Sequence, residues 1–263
     1  MTTRTVSQLF DLSGKVALVT GGSRGLGLQI AHALGEQGAT IVLSSRKASD
    51  LEQAAAELHA AGIKASYFAA NAADEAALAH VVKETLVIHG KIDILVNNAG
   101  ATWGAPAEDH PIDAWDKVMD LNIRSMFIAS QLVGKHSMIP NKGGRIINVA
   151  SIAGLGGNPP NGMNTIAYNT SKGAAVNFTR TLAAEWGKYG ITVNAIAPGF
   201  FPSKMTAGVF NALGEDNLAA LAPLNRIGDD EDLKGLAALF ASDAGKHITG
   251  QIVAVDGGVS CMI

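Results

Sequence analysis

The sequence predicts an α/β fold, a doubly wound parallel sheet of about seven strands with helices on both faces. Three observations predict it. Short apolar runs and helix-like segments alternate along nearly all of the 263 residues. The runs are continuous rather than alternating in polarity, as strands covered on both faces require. A glycine-rich turn, Gly21-Gly22-Ser23-Arg24-Gly25-Leu26-Gly27, stands between the first run and the first helical segment. Repeated strand–helix units with right-handed crossovers assemble into one sheet.

The first strand is 16–20, a buried Val-Ala-Leu-Val-Thr run, and the glycines that follow it open a helix over 25–35. The next strands are 40–44, 65–69, 92–97, 144–149, 192–197 and 251–255, each a short apolar run. Between them the spacing predicts helices over 49–61, 75–89, 112–131, 167–189 and 230–242. Two segments break this rhythm: residues 152–166, with Pro159-Pro160, and 199–225, before the last helix and strand. Long segments beside strand ends commonly carry substrate sites or lids. With no low-complexity linker and no internal repeat, 1–263 is expected to be a single domain.

The formal net charge of −3 implies no general attraction to nucleic acid or acidic lipid. The one cysteine, Cys261, forms no internal disulfide framework, and the seven histidines make no close-spaced ligand pairs, so no metal site is expected. No apolar stretch is long enough to span a bilayer, and residues 1–10 hold no apolar run of signal-peptide length. The expectation is a soluble cytoplasmic protein without membrane or nucleic-acid partners.

Tyr168 and Lys172, four apart in Tyr168-Asn169-Thr170-Ser171-Lys172, stack on one helix face. An ammonium beside a phenol is expected to lower the phenol's pKa, which suits proton transfer near neutral pH. The glycine-rich turn lets backbone approach phosphates at a positive helix end. Its spacing, T-G-x-x-x-G-x-G, differs from the G-x-G-x-x-G fingerprint. Gly21-Gly22-Ser23-Arg24-Gly25 also fits the G-x-S-x-G elbow of hydrolases, but that elbow would sit on the first strand, and no Asp and His stand out downstream as triad partners, Asp243 and His247 being the ones left to consider. Taken singly, Ser151 also suits a turn cap, and Asn97 and Asn98 suit turn formation.

With that turn, Asn97-Asn98-Ala99-Gly100, Ser151 and Tyr168-x-x-x-Lys172 in this order, the chain resembles the short-chain dehydrogenase/reductase family, from Lys15 to Asp256-Gly257-Gly258. It looks most like the single-domain bacterial ketoreductases of the 3-oxoacyl type, and residues 198–205 resemble the ketoacyl reductase of rhamnolipid synthesis. The resemblance implies a Rossmann-like fold and four catalytic residues. Tyr168 would exchange the proton, Lys172 would tune it and hold the nicotinamide ribose, Ser151 would bind the reacting oxygen, and Asn122 would support a proton relay. It also implies a cofactor site formed by Gly21, Ser23, Arg24, Gly25, Leu26, Gly27, Ser45, Arg46, Asn71, Ala72, Asn98, Ala99, Gly100, Tyr168, Lys172, Pro198, Gly199, Phe201 and Ser203. The family usually has Asp followed by an apolar residue where this chain has Asn71-Ala72, and the loop between Ser151 and Tyr168 is longer than usual.

At the end of the second strand Ser45 replaces the carboxylate that NAD sites place against the ribose hydroxyls, and Arg46 follows it. With Arg24, this favours the 2′-phosphate of NADP (NADPH). The expected function is NADP-dependent reduction of a ketone, a 3-oxoacyl thioester or another partly apolar carbonyl compound, to a secondary alcohol. Trp103, Ile152, Phe200, Phe201 and Met205 are the candidate pocket wall. The alternative within the family is a sugar-acid or polyol dehydrogenase, using Asn158, Asn161, Asn164 and Lys204. A remoter one is a non-catalytic redox sensor. A homotetramer is expected, chiefly from the resemblance, with apolar positions in 119–133, in the Tyr168 helix and in the tail 259–263 as its interface.

Overall fold

The computed structural model describes residues 3–159 and 162–262. Seven parallel strands form one sheet in the order β3-β2-β1-β4-β5-β6-β7. They are β1 Val16–Thr20, β2 Thr40–Ser45, β3 Ala65–Ala69, β4 Ile94–Asn97, β5 Gly144–Val149, β6 Ile191–Pro198 and β7 Ile252–Val255. The helices are α1 Val6–Phe10, α2 Gly25–Glu36, α3 Ala48–Ala60, α4 Glu75–His89, α5 Ile112–Met119, α6 Ser125–Val133, α7 Ile166–Trp186, α8 Ala207–Leu213, α9 Glu215–Ala220 and α10 Lys234–Ala241.

The continuous apolar runs are explained by two cores, one on each face of the sheet. Ala17 and Val19 of β1 pack with Ile30 and Leu34 of α2, Leu51 and Leu58 of α3 and Phe240 of α10. Val16 and Leu18 point the other way, to Leu78 and Val81 of α4, Ile128 and Val133 of α6 and Leu182 of α7. Successive side chains of a strand leave on opposite faces, so both must be apolar.

The sheet order reverses direction beside β1. β2 and β3 extend to one side, while β4 to β7 extend to the other, with Thr20 paired to both Ser44 and Asn97. In open α/β sheets this switch point, at the carboxyl ends of the strands, opens a crevice.

Three expectations change. The helix expected over 112–131 is divided: a π-helical turn, Asp120–Arg124, separates α5 from α6, and a second, Gly134–Met138, follows α6. At Gly134 a Cβ would stand 2.2 Å from the Trp186 ring, so only glycine lets the end of α7 pack there. The last predicted helix is trimmed to α10, because residues 230–233 form turns held by Asp229 and Asp232. Segment 199–225 carries two short helices, α8 and α9, instead of running as loop. Among the described residues no helix is long and apolar enough to cross a membrane, and no cluster of metal-ligating side chains occurs.

Candidate active site

A cleft of about 680 Å³ lies at the switch point, along the carboxyl ends of β1, β2, β4, β5 and β6. At one end are Gly21, Ser23, Arg24, Gly25 and Leu26, with Ser45, Arg46 and Lys47 beyond them. Gly21 has φ +64°, and a Cβ there would stand 2.9 Å from the Ala99 Cα. The turn is thus pressed against the 98–100 segment at a spacing only glycine permits. Arg24, the residue before α2, gives the helix no side-chain cap, and the first turn holds no acid. The free N–H groups of α2 are left as an anion-binding end. This fits the pyrophosphate of a dinucleotide.

Asn98 joins the turn to β4: its amide donates to Gly21 O at 2.9 Å and Thr20 O at 3.2 Å. The Thr20 hydroxyl accepts from the Asn98 and Ala99 N–H groups at 3.1 and 3.2 Å. Thr20 was missed from the sequence, although its place directly before the glycines was a visible signal. Gly27 does not line the cleft; it lies behind it, where a Cβ would meet Asn98 Nδ2 at 2.4 Å.

At the other end are Ser151, Tyr168 and Lys172; Pro198, Gly199, Phe201 and Ser203 also line the cleft, with Ser203 reaching back to the glycine turn, 3.8 Å from where a Cβ on Gly25 would stand. Ser151 follows β5 in extended backbone, and its hydroxyl accepts from Ala153 N at 3.2 Å. Gly154 lets this turn lie against α7; a Cβ there would fall 2.5 Å from the Lys172 carbonyl carbon. Lys172 is 5% exposed, and its ammonium donates to Val149 O at 2.7 Å. Burial lowers its pKa to about 8. The ammonium sits 5.6 Å from the centre of the Tyr168 ring.

The expected sign for Tyr168 is reversed. Burial pushes its phenol pKa up, and a hydrogen bond with Ser151 pulls it partly back. Lys172 does not override this, because desolvation disfavours phenolate and the ammonium is directed at Val149 O.

Asn122 lies under the cleft rather than in its wall, in the π turn between α5 and α6. Its side chain accepts from Ala101 N at 2.7 Å and donates to Ala101 O and Ser171 Oγ, both at 2.9 Å. Ser171 Oγ in turn donates to Tyr168 O at 2.7 Å. The extra residue of a π turn re-aims a side chain inward, and here it ties α7 to the segment after β4.

Asn71 stands at the margin: it is exposed, and its side chain accepts from Ala73 N at 3.3 Å, while Ala72 lines the cleft. Met205 and Lys204 line the cleft, whereas Trp103, Ile152 and Phe200 do not. Asn158 is bonded to Thr165 and Asn169, and Asn164 O accepts from Ala105 N at 2.8 Å. Asn161 lies outside the described residues. Asp50, another residue missed from the sequence, enters the cleft wall and pairs with Arg24 at 3.0 Å. The hydrolase reading fails on placement. Asp243 is bound to Arg4 and Arg145 beside Lys15, at the opposite end of β1 from Ser23.

The sequence model of the short chain dehydrogenase family matches residues 15–213. The chain is 38% identical over 253 residues to a gluconate 5-dehydrogenase of Gluconobacter oxydans, covering 96% of this chain and 97% of that one. It is 39% identical over 256 residues to the rhamnolipids biosynthesis 3-oxoacyl-[acyl-carrier-protein] reductase of Pseudomonas aeruginosa, covering 95% and 97%. A crystal structure of a gluconate 5-dehydrogenase from Burkholderia cenocepacia, in complex with NADP and tartrate, superposes with a TM-score of 0.92 at 33% identity, covering 98% of this chain and 100% of that one.

Proposed function

This chain belongs to the short-chain dehydrogenase family and is an oxidoreductase acting on alcohol or ketone groups; on that premise, we propose that it reduces a partly apolar ketone to a secondary alcohol with NADPH. A 3-oxoacyl thioester is the favoured substrate. The observation that carries this reading is the convergence of Ser151, Tyr168 and Lys172 at one end of a cleft whose other end has dinucleotide-binding geometry. Ser45, Arg46 and Arg24 at the adenosine end favour a 2′-phosphate, and a similar structure binds NADP.

The bound nicotinamide supplies the hydride. The Ser151 hydroxyl binds the carbonyl oxygen, where negative charge grows as the carbon is reduced. The Tyr168 hydroxyl donates its proton to that oxygen. A phenol held above its usual pKa by burial stays protonated until that charge develops. Lys172 holds the ribose and stabilises the phenolate left behind. Asn122 positions α7 through Ser171. Met205 and Phe201 give the cleft an apolar flank.

A second reading, oxidation of a sugar acid, is favoured by the gluconate 5-dehydrogenase relative and by Lys204 in the cleft, a cation suited to a carboxylate. A panel of 3-oxoacyl thioesters, alicyclic ketones and sugar acids, followed at the nicotinamide absorbance with NADPH and NADP, decides between them. Turnover confined to sugar acids would replace the first reading with the second. We further propose a homotetramer, supported by apolar side chains left uncovered on one subunit: Phe127 of α6, Ile112 of α5 and Met262 in the tail.

A further inference from the structure

A carboxylate stands in the part of the cleft that would take the adenosine ribose. Asp50, the third residue of α3, lines the wall beside Ser45, Arg46 and Lys47, and its Oδ2 accepts from Arg24 Nη1 at 3.0 Å. The cleft's other carboxylate, Asp230, is engaged elsewhere, by Gln29 Nε2 at 2.8 Å. Arg24 is therefore not a free cation awaiting a phosphate. It already has a counter-ion, supplied by a helix 26 positions further along the chain.

We propose that Asp50 is a cofactor-selectivity residue: its carboxylate competes with the 2′-phosphate of NADP for the Arg24 guanidinium and so limits the preference for NADPH over NADH. The inference rests on the reading that this cleft binds NADP. Arg24 and Asp50 side chains are 51% and 30% exposed, so water screens the pair and a phosphate can displace it. Asp50 cannot leave with its partner released. It is anchored in the first turn of α3, where the positive helix end favours an acid. A displaced carboxylate beside a dianionic phosphate adds repulsion to the lost pairing. The neutral 2′-hydroxyl of NADH meets neither penalty. Substituting Asp50 thus acts on one cofactor and spares the other.

The test is calorimetric titration of NADPH and NADH into wild type, Asp50→Asn, Arg24→Ala and the double variant, at low and high salt. Asp50→Asn is expected to tighten NADPH about three- to tenfold while leaving NADH within about twofold, an effect that salt diminishes. In the Arg24→Ala background most of that gain is expected to vanish. Retained NADH affinity certifies that the variants are folded. The proposal is overturned by an unchanged NADPH affinity in Asp50→Asn. It is also overturned if NADH binding weakens without gain for NADPH, which would make Asp50 a ribose ligand, or if the full gain persists without Arg24. The cofactor reading is tested separately by the wild-type preference and by Arg24→Ala alone. No wild-type preference for NADPH, together with no loss in Arg24→Ala, would remove that reading and this proposal with it.

Discussion

The Lys172 ammonium donates a 2.7 Å hydrogen bond to the Val149 carbonyl, from one helix turn beyond Tyr168 to the last residue of β5. This bond holds a buried cation in the cleft wall, and the burial, which lowers its pKa to about 8, makes its charge sensitive to pH.

Lys172→Met is expected to weaken NADPH binding and turnover together, because it removes the ribose contact and the phenolate's counter-charge. Loss of a charge-assisted bond is worth ~1.5–3 kcal/mol, about tenfold or more in affinity. Unchanged affinity in a binding titration would contradict the ribose role.

The same residue links stability to pH. Its pKa is about 8 in the fold and 10.5 as reference, so its stabilising contribution is present above 10.5 and lost as pH falls through about 8. Lys172→Met is therefore expected to gain ~1–3 kcal/mol relative to wild type at pH 7, and less at pH 10. Denaturation curves of both proteins across this range check it; a difference independent of pH would refute the burial account.

Tyr168→Phe removes the transferable proton and almost no volume. Turnover is expected to fall at least ~100-fold, with cofactor affinity close to wild type. Stopped-flow measurement of the reduction step alongside a binding titration separates the two effects, and near-normal turnover would end the proposed mechanism.

Ser45→Asp combined with Arg46→Ala is expected to erase or reverse the preference for NADPH. Each lost bond between a charged group and the phosphate costs ~1.5–3 kcal/mol. The ratio of kcat/KM for the two cofactors is the measurement, and a wild-type ratio near one would defeat the claim.

Asn122→Ala leaves the Ala101 N–H and C=O without their partner and takes from the Ser171 hydroxyl the donor it accepts from, leaving only its bond to Tyr168 O. Stability is expected to fall by ~2–4 kcal/mol, since each unpaired buried group costs ~1–3 kcal/mol. Turnover is expected to fall too as the head of α7 loosens. A denaturation midpoint equal to wild type would show that the bridge is replaceable.

All seven strands were legible from the sequence as short, largely apolar runs: the five inner strands because residues buried on both faces of a sheet announce themselves by type, and the edge strands β3 and β7, which hold no buried residue, by composition alone. Three of them, β1, β3 and β5, match at both ends, and so does α4. The glycine turn was legible because positive φ and close backbone approach leave a local mark. The Tyr168–Lys172 pair was legible because four residues make one helical turn. By itself, then, the sequence determined the sheet, the turn and the spacing of two site residues. Tertiary structure alone decided the rest. The π turn that swings Asn122 beneath the cleft depends on what packs around it and has no residue signature. Asp50 meets Arg24 only because α3 lies beside α2 on one face of the sheet. The sign of the Tyr168 shift follows from burial, which no local spacing encodes. Periodicity and backbone preference act between near neighbours, whereas desolvation and ion pairing are set by groups that only the fold brings together.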